Sequence, residues 1–431
     1  MKKAYLILSI TFSTLALPHI SKSLDIVNNI KNKTRQEGAI QKDNAISQAL
    51  HPVERKKNPL VKTEVQPTRK DITAQKDTVP TATASSQLSY TSKYDFIPGD
   101  KIMAYEDFNT VNLGDFPLKW NTNASAEVVT VNGLEGKWLK IGEKGVFHPE
   151  FISNLPENFT FEFDLAVNNA NYLSPFCLNF ANLKKPEDFV DYAYLVSIRP
   201  EHAVHLEFSA ANTTTDGVSK LITGKNGVTA LNNAVNYKVW DVSNNNLAHI
   251  SVWRQNQRLR VYLNGEKIWD SPRAFEGPAN YNAVTFAFYG PYGKEDYYLL
   301  SNIRLAVGAP DTRNKLLTEG KFVTSGIHFD VDSDNIKPDS YGILKEVATV
   351  LKENEAVKIK IIGHTDSDGD DAHNTDLSKR RAESVKNALA NEFGISSSRM
   401  ATDGKGESTP VSTNYTPVGK AQNRRVEFTK M

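Results

Sequence analysis

The sequence predicts a multidomain chain: a signal peptide, a disordered N-terminal tether, an all-β sandwich and then an α/β domain. Three observations carry this. Residues 24–88 contain no Phe, Trp or Tyr. Aromatic residues then stay dense from Tyr90 to about Tyr298, in runs of period two. Beyond Leu316 the apolar residues fall at helical spacing between short strand-like runs. A length of 431 residues agrees with two or three domains of roughly 100–200 residues each.

Met1-Lys2-Lys3 is a short basic start, and the mostly apolar run Ala4–Leu17 follows it. Pro18 and a polar stretch ending Ser21-Lys22-Ser23 come next. This reads as residues 1–23 of a secretory signal peptide, cleaved after Ser23 or, second, after Ala16. The apolar run is about 14 residues, short of the ~20 that span a bilayer. No cysteine stands near the cleavage region, which argues against a lipid anchor.

Residues 24–90 are dominated by Lys, Thr, Gln, Asn and Asp, with Pro52, Pro59, Pro67 and Pro80 spaced through them. Such a segment buries too little apolar surface to offset a chain entropy of ~1–2 kcal/mol per residue. As a flexible coil it has an r.m.s. span of about 45 Å. A short helix near Asp25–Ile30 is the alternative.

Residues 91–312 read as the sandwich. Phe159, Phe161, Phe163 and Leu165 alternate with Thr160, Glu162, Asp164 and Ala166, the pattern of a half-buried strand. His249–Trp253, Leu259–Leu263 and Lys267–Trp269 are three short runs, the last two joined by Asn264-Gly265. That dipeptide suits the two positive φ angles of a type I′ hairpin. Val284–Tyr289 and Tyr297–Val307 continue the strands.

Residues 316–431 read as strand, helix, strand, helix, strand: Lys321–Asp330, Tyr341–Asn354, Val357–Ile362, Leu377–Phe393 stopped by Gly394, and Arg425–Phe428. On the second helix, at ~100° per residue, the apolar residues Leu377, Ala382, Val385, Ala388, Leu389 and Phe393 share an arc of roughly 160°. Arg381 lies inside that arc at about 40°, whereas Lys379 and Arg380 lie outside it. A charge aimed at the body of a domain needs a carboxylate or an anionic ligand. Asp366 sits where the preceding strand runs into a loop that also holds Asp368, Asp370 and Asp371. A fixed carboxylate beside a semi-buried guanidinium suits a ligand with an amine and a carboxylate on one carbon. From spacing alone, Asp366 and Arg381 equally suit each other.

These residues sit within a recognisable series. Ile327-His328-Phe329-Asp330, Gly363-His364-Thr365-Asp366, Gly369, Asn374, Leu377-Ser378 and Arg381-Ala382 come first. Gly404-Lys405-Gly406-Glu407 and Asn423-Arg424-Arg425-Val426-Glu427 complete it. In order and spacing the series resembles the OmpA-like C-terminal domain, over about a quarter of the chain. The resemblance implies non-covalent binding of peptidoglycan through diaminopimelate in the stem peptide. It puts the ligand-binding aspartate on Asp366 and the arginine on Arg381, and implies supporting contacts from Asn374, Asp330 and Arg425. His373 departs from the family, which often has Tyr there, and the run Ser367–Asp371 is unusually acidic.

The stretch Ala248–Asp270 resembles a concanavalin-like or laminin-G-like jelly roll. The opening from Pro98-Gly99-Asp100-Lys101 through Gly114-Asp115-Phe116-Pro117 to Trp120 resembles the segment that precedes OmpA-like domains in envelope proteins of Bacteroidetes-type bacteria. Such sandwiches bind glycans, hydrolyse them or serve structure alone. Trp253 and Trp269 are candidates for stacking on sugar. Glu162 and Asp164 share a face like a hydrolase's acidic strand, but the third acid of that motif is replaced by Val167.

Other classes recede. Fifty-one Lys+Arg against 50 Asp+Glu argue against a broadly basic nucleic-acid binder. Cys177 is the only cysteine, so neither an intramolecular disulfide nor a four-Cys zinc site is available. Asp330–Asn335 and Asp366–Asp371 begin like calcium loops but lack Gly at position six and Glu at position twelve. The nine histidines show no metal spacing, so no cofactor or metal is expected. The expectation is an exported, periplasmic or outer-membrane-associated envelope protein without catalysis, whose partner is peptidoglycan. A glycan or an outer-membrane protein on the sandwich is the second partner. A surface lectin or adhesin and a wall-anchored glycoside hydrolase are the alternative functions.

Overall fold

The computed structural model describes residues 95–168, 174–243, 246–290, 293, 295–308 and 311–431. The signal peptide and the tether lie outside these residues. From Asp95 onward the described chain is one compact unit.

Fifteen strands make its first part: β1 (Lys101–Glu106), β2 (Trp120–Thr122), β3 (Ala126–Val131), β4 (Leu134–Ile141), β5 (Gly145–Pro149), β6 (Asn158–Val167), β7 (Phe176–Ala181), β8 (Ala203–Ser209), β9 (Gly217–Lys225), β10 (Val228–Tyr237), β11 (Leu247–Gln255), β12 (Arg258–Leu263), β13 (Glu266–Ser271), β14 (Ala283–Phe288) and β15 (Tyr298–Val307). They form two sheets. One runs β13-β12-β11-β6-β15-β4-β3 with β1 added against β15, and the other runs β10-β9-β8-β7-β14-β5-β2. One apolar core joins their facing sides. Phe163 of β6 meets Phe286 of β14 edge-on at 5.1 Å, and Phe161 of β6 meets Phe180 of β7 at 6.0 Å. Each such ring contributes roughly 1.5–3 kcal/mol through burial. Asn264 (φ 48°) and Gly265 (φ 81°) make the expected hairpin turn between β12 and β13. Among the described residues of this part the only helix is the one-turn α1 (Tyr192–Leu195), besides a 3₁₀ segment at Pro186–Val190.

The second part adds α2 (Thr312–Leu317), β16 (Lys321–Thr324), α3 (Tyr341–Glu353), β17 (Ile359–Gly363), α4 (Asp371–Asn391), β18 (Met400–Gly404), α5 (Pro417–Asn423) and β19 (Val426–Lys430). The sheet order is β16-β19-β17-β18, with β17 and β18 parallel and the other pairs antiparallel. It is richer than the five elements read from sequence: α2, β18 and α5 were not expected. The long strand expected over Lys321–Asp330 is cut to four residues, leaving only a bridge between Phe329 and Ile336. Helix α4 begins six residues before the apolar period does, because the Asp370 carboxylate caps it by accepting from His373 N at 2.9 Å. Its end follows expectation. Gly394 takes φ 72°, and Ile395 N donates back to Leu389 O at 3.1 Å. Gly363, at the end of β17, lets α4 pack closely, since a Cβ there would stand 2.1 Å from Ser378 O.

One expectation fails informatively. Strand β6 is not half-buried. Every residue after Asn158 is buried, including Thr160, Glu162 and Asp164 on its outer side. The second part covers that side. The connecting segment Phe96–Gly99 is wedged between the two. Phe96 packs on Tyr262 and Trp253 of the sandwich at 5.2 and 6.2 Å, and Ile97 joins the second core. Gly99 N donates to Thr160 Oγ1 at 2.9 Å. Gly342 is needed for this fit, because a Cβ on it would lie 1.7 Å from Phe96 O. Among the described residues no helix is long and apolar enough to cross a membrane.

Candidate functional site

Strands β17 and β18 run parallel and end together at Gly363 and Gly404. The loop that leaves β17 opens onto a cavity of about 560 Å³ between the sandwich and the second part. Its lining includes Asp366, Arg381 and Arg424 from one side, and Tyr105, Asp107 and His249 from the other.

Asp366 is buried and tightly fixed. Thr365 N donates to Gly406 O at 3.0 Å, and Asp368 N donates to Asp366 Oδ1 at 3.1 Å. Asn374, on the first turn of α4, holds the loop from below. Its Nδ2 donates to Asp368 O at 3.0 Å and to Glu407 Oε2 at 2.6 Å. Asn374 thus positions the aspartate through the backbone.

Arg381 does not pair with Asp366. Its Nε donates to Ser333 O at 2.8 Å and its Nη2 to Asp330 O at 3.2 Å. The guanidinium stands 4.9 Å from the centre of the Phe329 ring. No carboxylate among the described residues lies within ion-pairing distance of it, although the neighbouring Arg380 holds both Asp334 and Asp376. Burial, with the charge of Arg424 adding, pulls the Arg381 pKa down to about 10 against the pull of Asp366 and Asp332. A cation so placed is under-compensated. Asp330 contributes its carbonyl here, while its side chain is exposed.

The residue that does meet Asp366 is Arg424, through Nη1 to Oδ2 at 2.5 Å. Arg424 also lies 5.1 Å over the Tyr105 ring and 4.0 Å from Asp107 Oδ2, both on the sandwich. Burial works against its charge, but Tyr105, Asp366 and Asp107 outweigh it and raise the pKa. Burial also pushes the Tyr105 hydroxyl up to about 12. Arg425, expected from the resemblance to support the ligand, lines part of the same cavity, with its guanidinium engaged within the domain. Its Nε and Nη2 both donate to Glu427 Oε1 and its Nη2 also to Thr409 O at 3.0 Å. His364 is packed beside this pair, with Nδ1 3.1 Å from Thr409 Oγ1. His373 lies on the rim, 2.5 Å from Asp332 Oδ1.

The sandwich residues singled out from sequence are already engaged. Glu162 Oε1 accepts from Arg304 Nη1 at 2.6 Å. Asp164 accepts from His249 Nδ1 at 2.6 Å and from Asn302 Nδ2 at 2.7 Å. Trp269 is buried and donates to Ser219 Oγ at 2.9 Å. Trp253 is flanked by Phe96 and by Arg260, whose guanidinium stands 4.9 Å from its ring. Cys177 is a buried free thiol.

Residues 328–424 match the OmpA family. Among curated relatives, the outer membrane porin F of Pseudomonas fluorescens is 46% identical over 101 residues, which is 23% of this chain and 31% of the porin. The probable lipoprotein YiaD of Escherichia coli is 44% identical over 105 residues, covering 24% of this chain and 48% of the lipoprotein. The chain therefore spans less than half the length of either relative. A crystal structure of the peptidoglycan-associated lipoprotein of Burkholderia pseudomallei is 28% identical, covers 28% of this chain and all of that one, and has a TM-score of 0.25. The matched segment contains Asp366, Asn374, Arg381 and Arg424, the residues assembled around the cavity. The chain carries an OmpA family domain at its C-terminus, behind a large β-rich portion.

Proposed function

We propose that this is a non-catalytic cell-envelope protein that binds peptidoglycan non-covalently and helps tether the outer membrane, or a partner, to the cell wall. The observation that carries the reading is Arg381: a half-buried guanidinium on a cavity wall with no carboxylate among the described residues in ion-pairing distance. Its planar fork suits a ligand carboxylate. Asp366, across the same cavity, suits an ammonium group, which displaces or shares Arg424. One carbon bearing both groups is what the diaminopimelate of a stem peptide offers. The family match and the outer-membrane and lipoprotein relatives support an envelope role. In this reading the wall-binding domain is 316–431, the sandwich 91–312 is a jelly roll, and the chain is exported. The engagement of Glu162 and Asp164 by Arg304, His249 and Asn302 supports a sandwich without hydrolytic function.

The test is sedimentation of the full chain with purified wall sacculi. The wild type should pellet, and Arg381→Ala and Asp366→Asn should remain in the supernatant while keeping native circular dichroism. Pelleting of both variants at the wild-type level would overturn the assignment. A β-glucan screen that releases reducing sugar would overturn the non-catalytic part.

A further inference from the structure

The covered face of β6 brings together a second cluster that wall binding does not use. Glu162 of β6, His249 of β11 and Asp339 of the 3₁₀ turn Pro338–Ser340 converge across the boundary between the sandwich and the OmpA-family domain. Each presents a ligand-type atom, and these atoms all lie within 4.8 Å of one another. Glu162 Oε2 is 3.7 Å from His249 Nε2, and Asp339 Oδ2 is 3.3 Å from it. Tetrahedral coordination at ~2.0–2.1 Å sets neighbouring donors about 3.3 Å apart.

Three polar atoms at this spot have no hydrogen-bond partner: Glu162 Oε2, His249 Nε2 and Asp339 Oδ1. Glu162 is 1% exposed and Asp339 7%. In folded proteins most such atoms are satisfied, and here three orphans meet at one place. The opposite atoms of Glu162 and His249 are held, and Asp339 is held by Oδ2, the oxygen that also faces His249. His249 Nδ1 bonds Asp164 Oδ1, Glu162 Oε1 accepts from Arg304, and Asp339 Oδ2 bonds His328 Nδ1 at 2.5 Å. Burial opposes a charge on His249, but Asp339, Asp164 and Glu162 outweigh it and raise its pKa well above the usual value, so a bound ion takes the place of the Nε2 proton. The Asp164 carboxylate on Nδ1 fixes the ring. That is the support usually found behind a metal-ligating histidine.

We propose that Glu162, His249 and Asp339 bind a divalent cation of the zinc type and that the ion clamps the sandwich to the OmpA-family domain. One imidazole nitrogen with two carboxylates selects zinc or a neighbouring transition metal over magnesium or calcium. Glu162 and His249 also line the cavity, so the ion has a route in and a water can complete the shell. A second group, Cys177, His205 and Glu207, also has metal-ligand spacing. There, however, the glutamate is committed to Lys220 at 2.6 Å and Tyr289 at 3.2 Å.

Chelator-stripped full-length protein titrated with zinc chloride in a calorimeter should take up one ion per chain. His249→Gln and Asp339→Asn should each weaken uptake at least tenfold, and Asp164→Asn about 10–100-fold. Calcium chloride should give no comparable heat. Zinc K-edge absorption of the loaded wild type should show nitrogen and oxygen donors with one imidazole and no sulfur. That spectrum decides the matter if a variant fails to fold. No saturable uptake, equal affinity in folded His249→Gln and Asp339→Asn, or a sulfur ligand pointing to Cys177 would overturn the proposal. The titration contains no peptidoglycan, so its result is separate from that of the sacculus assay.

Discussion

Arg424 occupies Asp366, at 2.5 Å, and leaves Arg381 without an acidic partner. The two arginines of one cavity therefore have different energetic roles. Arg424 belongs to a pair with little exposure on its acidic side, whereas Arg381 is a cation awaiting compensation.

Arg424→Ala should consequently destabilise the protein by about 3 kcal/mol, since it strands a buried carboxylate. Arg381→Ala should cost about 1 kcal/mol or less, because two backbone hydrogen bonds are lost while an under-compensated charge is removed. Urea denaturation of the two variants checks this. Equal losses, or a larger loss for Arg381→Ala, would contradict it.

Gly342→Ala should also destabilise. In an exposed helix the change to Ala usually gains ~0.5–1 kcal/mol. Here the new Cβ meets the Phe96 carbonyl at 1.7 Å and must push the wedge segment out. Amide exchange at Gly99, whose N–H is held by Thr160 Oγ1, should accelerate in the variant. A variant that melts at or above the wild type would show that the segment yields without cost.

The buried pair Glu162–Arg304 gives a third expectation. Arg304 is 4% exposed and Glu162 1%. Arg304→Met alone leaves an unpaired buried carboxylate and should cost about 3–5 kcal/mol. Glu162→Gln/Arg304→Met should cost less than the sum of the single changes, with a coupling of about 1–3 kcal/mol in metal-free protein. Additive losses in the cycle would mean that the two side chains do not depend on each other.

Part of this was legible in the residues. The turn at Asn264-Gly265, the stop at Gly394 and the inward position of Arg381 follow from local rules of φ and period. Arg424 was not legible. It sits where α5 ends and β19 begins, so neither a helical nor a strand period assigns it a face. The backbone there (φ −69°, ψ 88°) sends Arg424 to Asp366 and Arg425 to Glu427. The outer face of β6 misled for another reason. A Thr-Glu-Asp alternation looks the same whether water or charged partners cover it, and the partners Arg304 and Lys337 come from far along the chain. Strand β18 has five residues, only Met400 of them buried, so its place in the sheet rests on β17 rather than on its own pattern.

The last expectation concerns acid. His205 on β8 is 2% exposed, with Nδ1 2.6 Å from Asn179 Oδ1. Burial lowers its pKa from 6.5 to about 4; Glu207 opposes this and Lys220 adds to it. The folded protein therefore keeps the ring neutral where the unfolded chain protonates it. The stability from this residue is complete above pH 6.5 and is lost as pH falls towards 4, at about 1.4 kcal/mol per unit. Below pH 4 both states hold the proton and the loss from this residue stops. His364, also lowered to about 4, acts in the same window. Urea denaturation at pH 7, 6 and 5 should give a positive slope of stability with pH. In His205→Gln that slope should be shallower by about one proton, with His364 and His148 contributing to the remainder and the raised His249 opposing them. Identical slopes in the two proteins would remove His205 as its source.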